Sequence, residues 1–352
     1  ERGMPRKGPP ALAVDGEAAG FGGMGSGANG NDVPGFGVTE SGTFCKDDWK
    51  VKSTGIQQTP AGTGPVSTLS MADLQVEAVP LASGASGSVR RAVHVPTGRM
   101  MAIKAIDVRD KSKCDQMMTE VKTLFNAQTS GVCPHLVEFY DAFWEDPFMY
   151  LAMEYMDCGS LDVPLKNCVQ PSEEVASVII RQMMMGLNFL HKQRHNIHRD
   201  LKPGNVLINS AGLVKVADFG ISRTMDNTLA QANTMTGTAI YMSPERMQAK
   251  AYSFAADVWA CGLITNELVL GRYPYNIREG GKYFDLVMMI VAQPAPLPGP
   301  SFSAEINDFV GQSTQKEEGK RASCELLLSH PWIQQYAAST EASVALWLTS
   351  KR

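Results

Sequence analysis

The side chains best suited to chemistry in this 352-residue chain are Asp200, Lys202, Asn205 and Asp218. The first three stand in His198-Arg199-Asp200-Leu201-Lys202-Pro203-Gly204-Asn205, and Asp218-Phe219-Gly220 begins thirteen residues after Asn205. A carboxylate such as Asp200 can accept the proton of a hydroxyl as its oxygen attacks an electrophile. Lys202, two residues on, suits neutralisation of the group being transferred. Asn205 and Asp218 offer hard oxygen ligands of the kind that hold Mg2+ against nucleotide phosphates. An acid, a lysine, an amide and a second acid at these intervals point to phosphoryl transfer from ATP to a hydroxyl.

A second set lies upstream. Leu81-Ala82-Ser83-Gly84-Ala85-Ser86-Gly87-Ser88-Val89 has the spacing of a loop that covers phosphates, because glycines let backbone N–H groups approach phosphate oxygens. Ala82 stands where such a loop has its first glycine. Seventeen residues past Gly87, Lys104 ends the apolar run Met101-Ala102-Ile103. A lysine inside a strand needs a partner, and Glu120 in the following helix is the expected one. Their ion pair would aim Lys104 at the phosphates.

The elements that must position these groups follow from pattern. Residues 1–69 are rich in Gly, Ala, Pro and Ser and read as a disordered tail, too poor in large apolar groups to offset its ordering entropy. Strand-like runs follow at Gln75–Leu81, Gly87–His94, Met100–Asp107, Leu136–Phe143 and Met149–Met153. Ser112 to Gln128 reads as a helix with Met117, Val121, Leu124 and Phe125 on one face. After Gly159 the pattern turns helical: Ser172 would cap a helix running to His191, and Asp257–Leu270 and Phe302–Gln312 would form others. A small β-rich lobe followed by a larger helical one is the layout expected.

Apolar residues make up 44% of the chain, ordinary for a packed core. A net charge of −4 argues against general nucleic-acid binding. The seven cysteines (Cys45, Cys114, Cys133, Cys158, Cys168, Cys261, Cys324) are scattered and odd in number. That suggests reduced thiols, in the cytoplasm or the nucleus. Apolar runs are too short or too interrupted to span a bilayer.

On these motifs the chain resembles the protein kinases from Met71 to Trp332. The resemblance implies a bilobal α+β fold: an N-lobe at 70–153, a hinge at 154–157 and a C-lobe at 158–335, with 336–352 as an extension. It makes the lysine at Lys202 a serine/threonine-type signature. It implies that Met153 backs the adenine pocket, that Glu154-Tyr155-Met156 binds adenine through backbone groups, and that Val89, Ala102 and Leu207 sandwich the ring. Leu124, His198 and Phe219 would stack between the lobes, His198 as a packed residue and not a base.

Further stretches are similar to one branch, the mitogen-activated protein kinase kinases, which phosphorylate both Thr and Tyr. They are Gly237-Thr238-Ala239-Ile240-Tyr241-Met242-Ser243-Pro244-Glu245-Arg246, Met153 to Asp162, His94 to Gly98, Val137 to Phe143 and the apolar Val344 to Leu348. Ser41-Gly42-Thr43-Phe44 resembles plant and protist members; Cys158 replaces a glycine usual in the family. By this resemblance Thr238 would hydrogen-bond Asp200 and Lys202, Glu245 would pair with Arg321, and Asp257 would brace the catalytic loop. Thr228 and Thr234, with five residues between them, match paired phosphosites of plant-type members. Arg199 would be the counter-charge of a phosphate on Thr234. Arg2, Arg6 and Lys7 ahead of Leu12 and Val14 fit a docking element for a MAP kinase, and an upstream kinase is the implied activator. Two alternatives stay open: a serine/threonine kinase acting above MAP kinases, and a catalytically silent scaffold, favoured only by Ala82.

Overall fold

Alternating and β-branched residues from Leu74 onward build a twisted antiparallel sheet. The computed structural model describes 69–84, 87–107, 121, 132–167, 169–218, 239–276 and 283–350, with segments at 37–38, 44–46, 49–53 and 55–58. All of these lie in the unit Phe36–Arg352.

The disorder expected of the tail does not hold for the segments described between residues 37 and 58. Gly37–Val38 (β1), Phe44–Lys46 (β2), Trp49–Lys52 (β3) and Gly55–Gln58 (β4) pair as an antiparallel meander. Val51 of β3 is fully buried in the same apolar cluster as Ile106, Trp144 and Met149. That burial supplies what the Gly-rich flanks lack.

The main sheet runs β5-β6-β7-β9-β8. Its strands are Leu74–Gly84 (β5), Gly87–His94 (β6), Arg99–Asp107 (β7), Phe139–Glu145 (β8) and Phe148–Glu154 (β9). β8 starts three residues later than the pattern at Leu136 suggests, because Leu136 forms a parallel bridge with Val216 instead. Of the helix expected at Ser112–Gln128, Val121 is the one described residue, and it is buried.

The second lobe holds Asp162–Lys166 (α1), Glu173–Gln193 (α2), the hairpin Val206–Ile208 (β10) and Val214–Val216 (β11), then Pro244–Met247 (α3), Ala255–Leu270 (α4), Tyr283–Ala292 (α5), Ala304–Ser313 (α6), Cys324–Leu328 (α7), Pro331–Gln335 (α8) and Glu341–Thr349 (α9). Ser172 Oγ accepts the N–H of Val175 and caps α2, with Glu173 and Glu174 in its positive first turn. α4 is apolar nearly all round and sits in the centre of the lobe, with Trp259 fully buried. α9, in the C-terminal extension, belongs to this core: Val344 and Trp347 are buried in it. A Cβ on Gly212, at φ +81°, would lie 1.9 Å from the carbonyl oxygen of Glu341, so only glycine lets α9 come this close. Among the described residues, no helix is long and apolar enough to cross a membrane.

Candidate active site

The loop between α2 and β10 carries Asp200, Lys202 and Asn205. Its backbone is held from behind by Asp257 of α4, which is 2% exposed. Asp257 Oδ2 accepts the N–H of His198 at 2.8 Å and Nε2 of His191 at 2.8 Å, and Oδ1 accepts the N–H of Arg199 at 3.0 Å. Burial pushes the Asp257 carboxyl up; the hydrogen bond and charge of His191, together with His198 and its backbone N–H, outweigh this and hold it below the usual range. Arg199 takes φ +70°, a left-handed conformation, and its carbonyl accepts from Arg246 at 2.5 Å. His198 is buried: Nε2 bonds the Ala217 carbonyl at 2.8 Å, which leaves Nδ1 to accept the N–H of Asp200 at 3.3 Å.

These ties present Asp200, Lys202 and Asn205 together. Lys202 Nζ donates to Asp200 Oδ2 at 2.9 Å. Asn205 Nδ2 donates to the Asp200 carbonyl at 2.7 Å and to Oδ2 at 3.2 Å. Oδ1 of Asp200 is buried and takes no hydrogen bond from a described residue. A carboxylate oriented by two donors on one oxygen, with the other oxygen left to accept, is the arrangement a positioned base needs.

Asp218 follows β11 at φ +55°, a conformation that costs strain in a non-glycine residue. Lys104 Nζ of β7 donates to Asp218 Oδ1 at 3.0 Å. Burial pushes the Asp218 carboxyl up, and the charge and hydrogen bond of Lys104, helped by Lys202, more than offset this and hold it below the usual carboxylate range. This contact, 114 residues apart in sequence, is not legible in either local pattern. The donor set suits a divalent cation. Asn205 spends its amide N–H on Asp200 and keeps its carbonyl oxygen, while Asp218 adds an ionised carboxylate; both are hard oxygen ligands.

Above them, β5 and β6 form the hairpin that carries the glycine pattern. Leu81, Ala82, Ser83 and Gly84 are exposed on β5, and Ala82 pairs with Val89 and Gly84 with Gly87. Ala82 thus lies on the strand just past a register irregularity between Pro80 and Ala82, and its backbone is not left-handed. Gly87, at φ +119°, is obligatory: a Cβ there would meet the Ala105 carbonyl at 2.2 Å. Pairing sets Val89 beside Lys104 and Ala102 beside Met153. Val89, Met153 and Leu207 are half-buried and Ala102 and Met156 buried. The chain just after β9 is stitched to β10 by a bridge between Ser160 and Leu207 and by the Cys158 N–H on the Ile208 carbonyl at 3.2 Å.

Glu245 of α3 and Arg321 form a two-pronged ion pair at 2.8 and 3.1 Å, and Arg321 also donates to the carbonyls of Ala255 and Gln315. Burial opposes ionisation of Glu245, and Arg321 overrides it. Glu120, Leu124, Ala85, Ser86, Phe219, Thr228, Thr234 and Thr238, with the basic and apolar residues Arg6, Lys7, Leu12 and Val14, lie outside the described residues. Sequence reasoning missed His191, Arg246 and Lys215. For Lys215 the signal was the one that singled out Lys104: a lysine inside the β-branched run Val214-Lys215-Val216.

A model of the protein kinase domain matches residues 76–333. Mitogen-activated protein kinase kinase 2 of Arabidopsis thaliana is 38% identical over 313 residues, covering 85% of each chain. Mitogen-activated protein kinase kinase 1c of Physcomitrium patens is 38% identical over 314 residues, 85% of this chain and 90% of its own. Mitogen-activated protein kinase kinase 5 of Leishmania mexicana is 37% identical over 317 residues, 86% of this chain and 59% of its own. With the loop geometry above, these likenesses make the chain an ATP-dependent protein kinase that belongs to the mitogen-activated protein kinase kinase family.

Proposed function

We propose that the protein transfers the γ-phosphoryl group of MgATP to both Thr and Tyr of a MAP kinase activation loop. The observation that carries the chemistry is the buried, unshared Oδ1 of Asp200, beside an Oδ2 held by Lys202 and Asn205. Asp200 accepts the proton of the substrate hydroxyl, and Lys202 stabilises charge on the transferred group. Lys104 and the hairpin of β5 and β6 hold the phosphates; Val89, Ala102, Met153 and Leu207 enclose the base, with the backbone of Glu154 and Met156 as its hydrogen-bonding edge. Asn205 and Asp218 would hold Mg2+, which would supply charge that neutralises the phosphates.

Thr238 aligns Asp200 and Lys202, and phosphorylation of Thr234 and Thr228 by an upstream MAP kinase kinase kinase orders the segment against Arg199. Arg6, Lys7, Leu12 and Val14 grip the MAP kinase. The relatives' names support this reading, as does the Gly237–Arg246 segment.

The test is phosphosite mapping on an inactive MAP kinase incubated with Mg2+, ATP and the Thr228→Glu/Thr234→Glu variant. Phosphate on both Thr and Tyr of the substrate loop is expected. Phosphate on serine and threonine alone, in generic proteins, would move the chain to a neighbouring branch.

A further inference from the structure

Lys215 stands in the middle of β11, three residues before Asp218, and is 8% exposed. It lies opposite Leu207 in the β10–β11 pair, and directly opposed residues share one face of a sheet. Its ammonium therefore leaves the hairpin on the side of Leu207. There Nζ donates to Glu154 Oε2 at 2.7 Å, with the two side chains 10% and 19% exposed.

The same carboxylate oxygen accepts the N–H of Glu138 at 3.2 Å, and the Glu154 N–H donates to the Glu138 carbonyl at 2.8 Å. The segment before β8 is in turn bonded to β11: Val216 N–H to the His135 carbonyl at 2.9 Å, and Val137 N–H to the Val216 carbonyl at 3.0 Å. Three pieces of chain thus meet at one carboxylate: the end of β9, the approach to β8, and the strand that runs into Asp218. With its carboxylate committed to Lys215 and Glu138 and its N–H to the Glu138 carbonyl, Glu154 has its backbone carbonyl left to offer at the hinge.

Stability alone gives no reason for charges here, since a well-packed apolar pair often serves a buried site as well as an ion pair. What an ion pair adds is a fixed distance and direction. We propose that Lys215 is a positioning residue for the nucleotide. Through Glu154 it sets the separation between the hinge backbone, which holds the base, and Asp218, which holds the metal at the phosphates. This rests on the reading of the hinge and Asp218 as the two ends of the ATP site.

The experiment measures KM for ATP, KM for the protein substrate, and thermal unfolding on the full chain carrying Thr228→Glu/Thr234→Glu. Lys215→Met is expected to raise KM for ATP about tenfold and leave KM for the protein substrate unchanged, while Lys215→Arg stays within about twofold of the parent. Lys215→Met leaves Glu154 buried and unpaired, so Glu154→Gln/Lys215→Met removes both charges and separates positioning from folding. That double variant should unfold near the parent temperature and still show the raised KM for ATP. A stable double variant with the parent's KM for ATP would overturn the proposal. Separately, a fluorescent ATP analogue tests the site itself: if the parent fails to bind it with Mg2+, the ATP reading goes, and the role of Lys215 with it.

Discussion

Asp257 Oδ2 and the backbone N–H of His198 meet at 2.8 Å across 59 residues of sequence. A helix in the centre of the second lobe thereby sets the loop that carries Asp200. The same carboxylate takes His191 and Arg199, so three donors converge on one buried group. Asp257→Asn keeps the shape but turns one acceptor into a donor facing N–H groups. We expect a loss of about 3 kcal/mol of stability, together with a lower kcat. Urea unfolding beside steady-state kinetics checks this, and an unchanged midpoint would refute the bracing role.

Glu245 and Arg321 tie α3 to the start of α4, where Arg321 also donates to the Ala255 carbonyl. Removing one partner strands a buried charge, so Arg321→Ala should destabilise by about 3–5 kcal/mol. Replacing both by apolar residues of similar volume should cost much less. Comparing the three unfolding curves decides it; equal losses in the single and double variants would argue against pairing as the cause.

Acid should expose the same groups. Burial raises the carboxyls of Asp257 and Glu245, but His191 and Arg321 bring both below their ordinary values. Folded values below unfolded ones contribute stability that is present above about pH 4 and is lost as pH falls through the folded values. The urea midpoint should therefore drop on going from about pH 5 to pH 2, and Glu245→Gln should flatten part of that fall. A midpoint that holds steady over this range would contradict the assignment.

Asp200→Asn should lower kcat by about 10²–10⁴-fold while nucleotide affinity stays close to that of the parent. Asn keeps the contacts with Lys202 and Asn205 in outline and removes the base. If phosphoryl transfer persists at the parent rate, Asp200 is not the proton acceptor.

Gly212→Ala should cost about 2 kcal/mol or more, because φ is +81° and the new Cβ would press on the Glu341 carbonyl. α9 would have to shift off the β10–β11 turn. Thermal unfolding reads the loss, and a neutral substitution would mean that the turn and α9 part easily.

Much of the fold was legible because local physics agreed with it. Ser172 with Glu173 and Glu174 announces the start of α2, and alternating apolar residues announce β6 and β7. The tail reading failed at β1–β4, where single residues such as Val51 are worth little alone and gain value from a core supplied by distant strands. At the site, the residue types and spacings pointed to the chemistry.

By itself, then, the sequence determined which groups exist and where helices and strands begin, since caps, periodicity and motif spacing act within a few residues. The tertiary structure decided which groups meet. Lys104 reaches Asp218, Lys215 reaches Glu154 and Gly212 admits Glu341. Each contact joins segments that share no local pattern, and burial in the folded core holds the partners at hydrogen-bond or van der Waals distance.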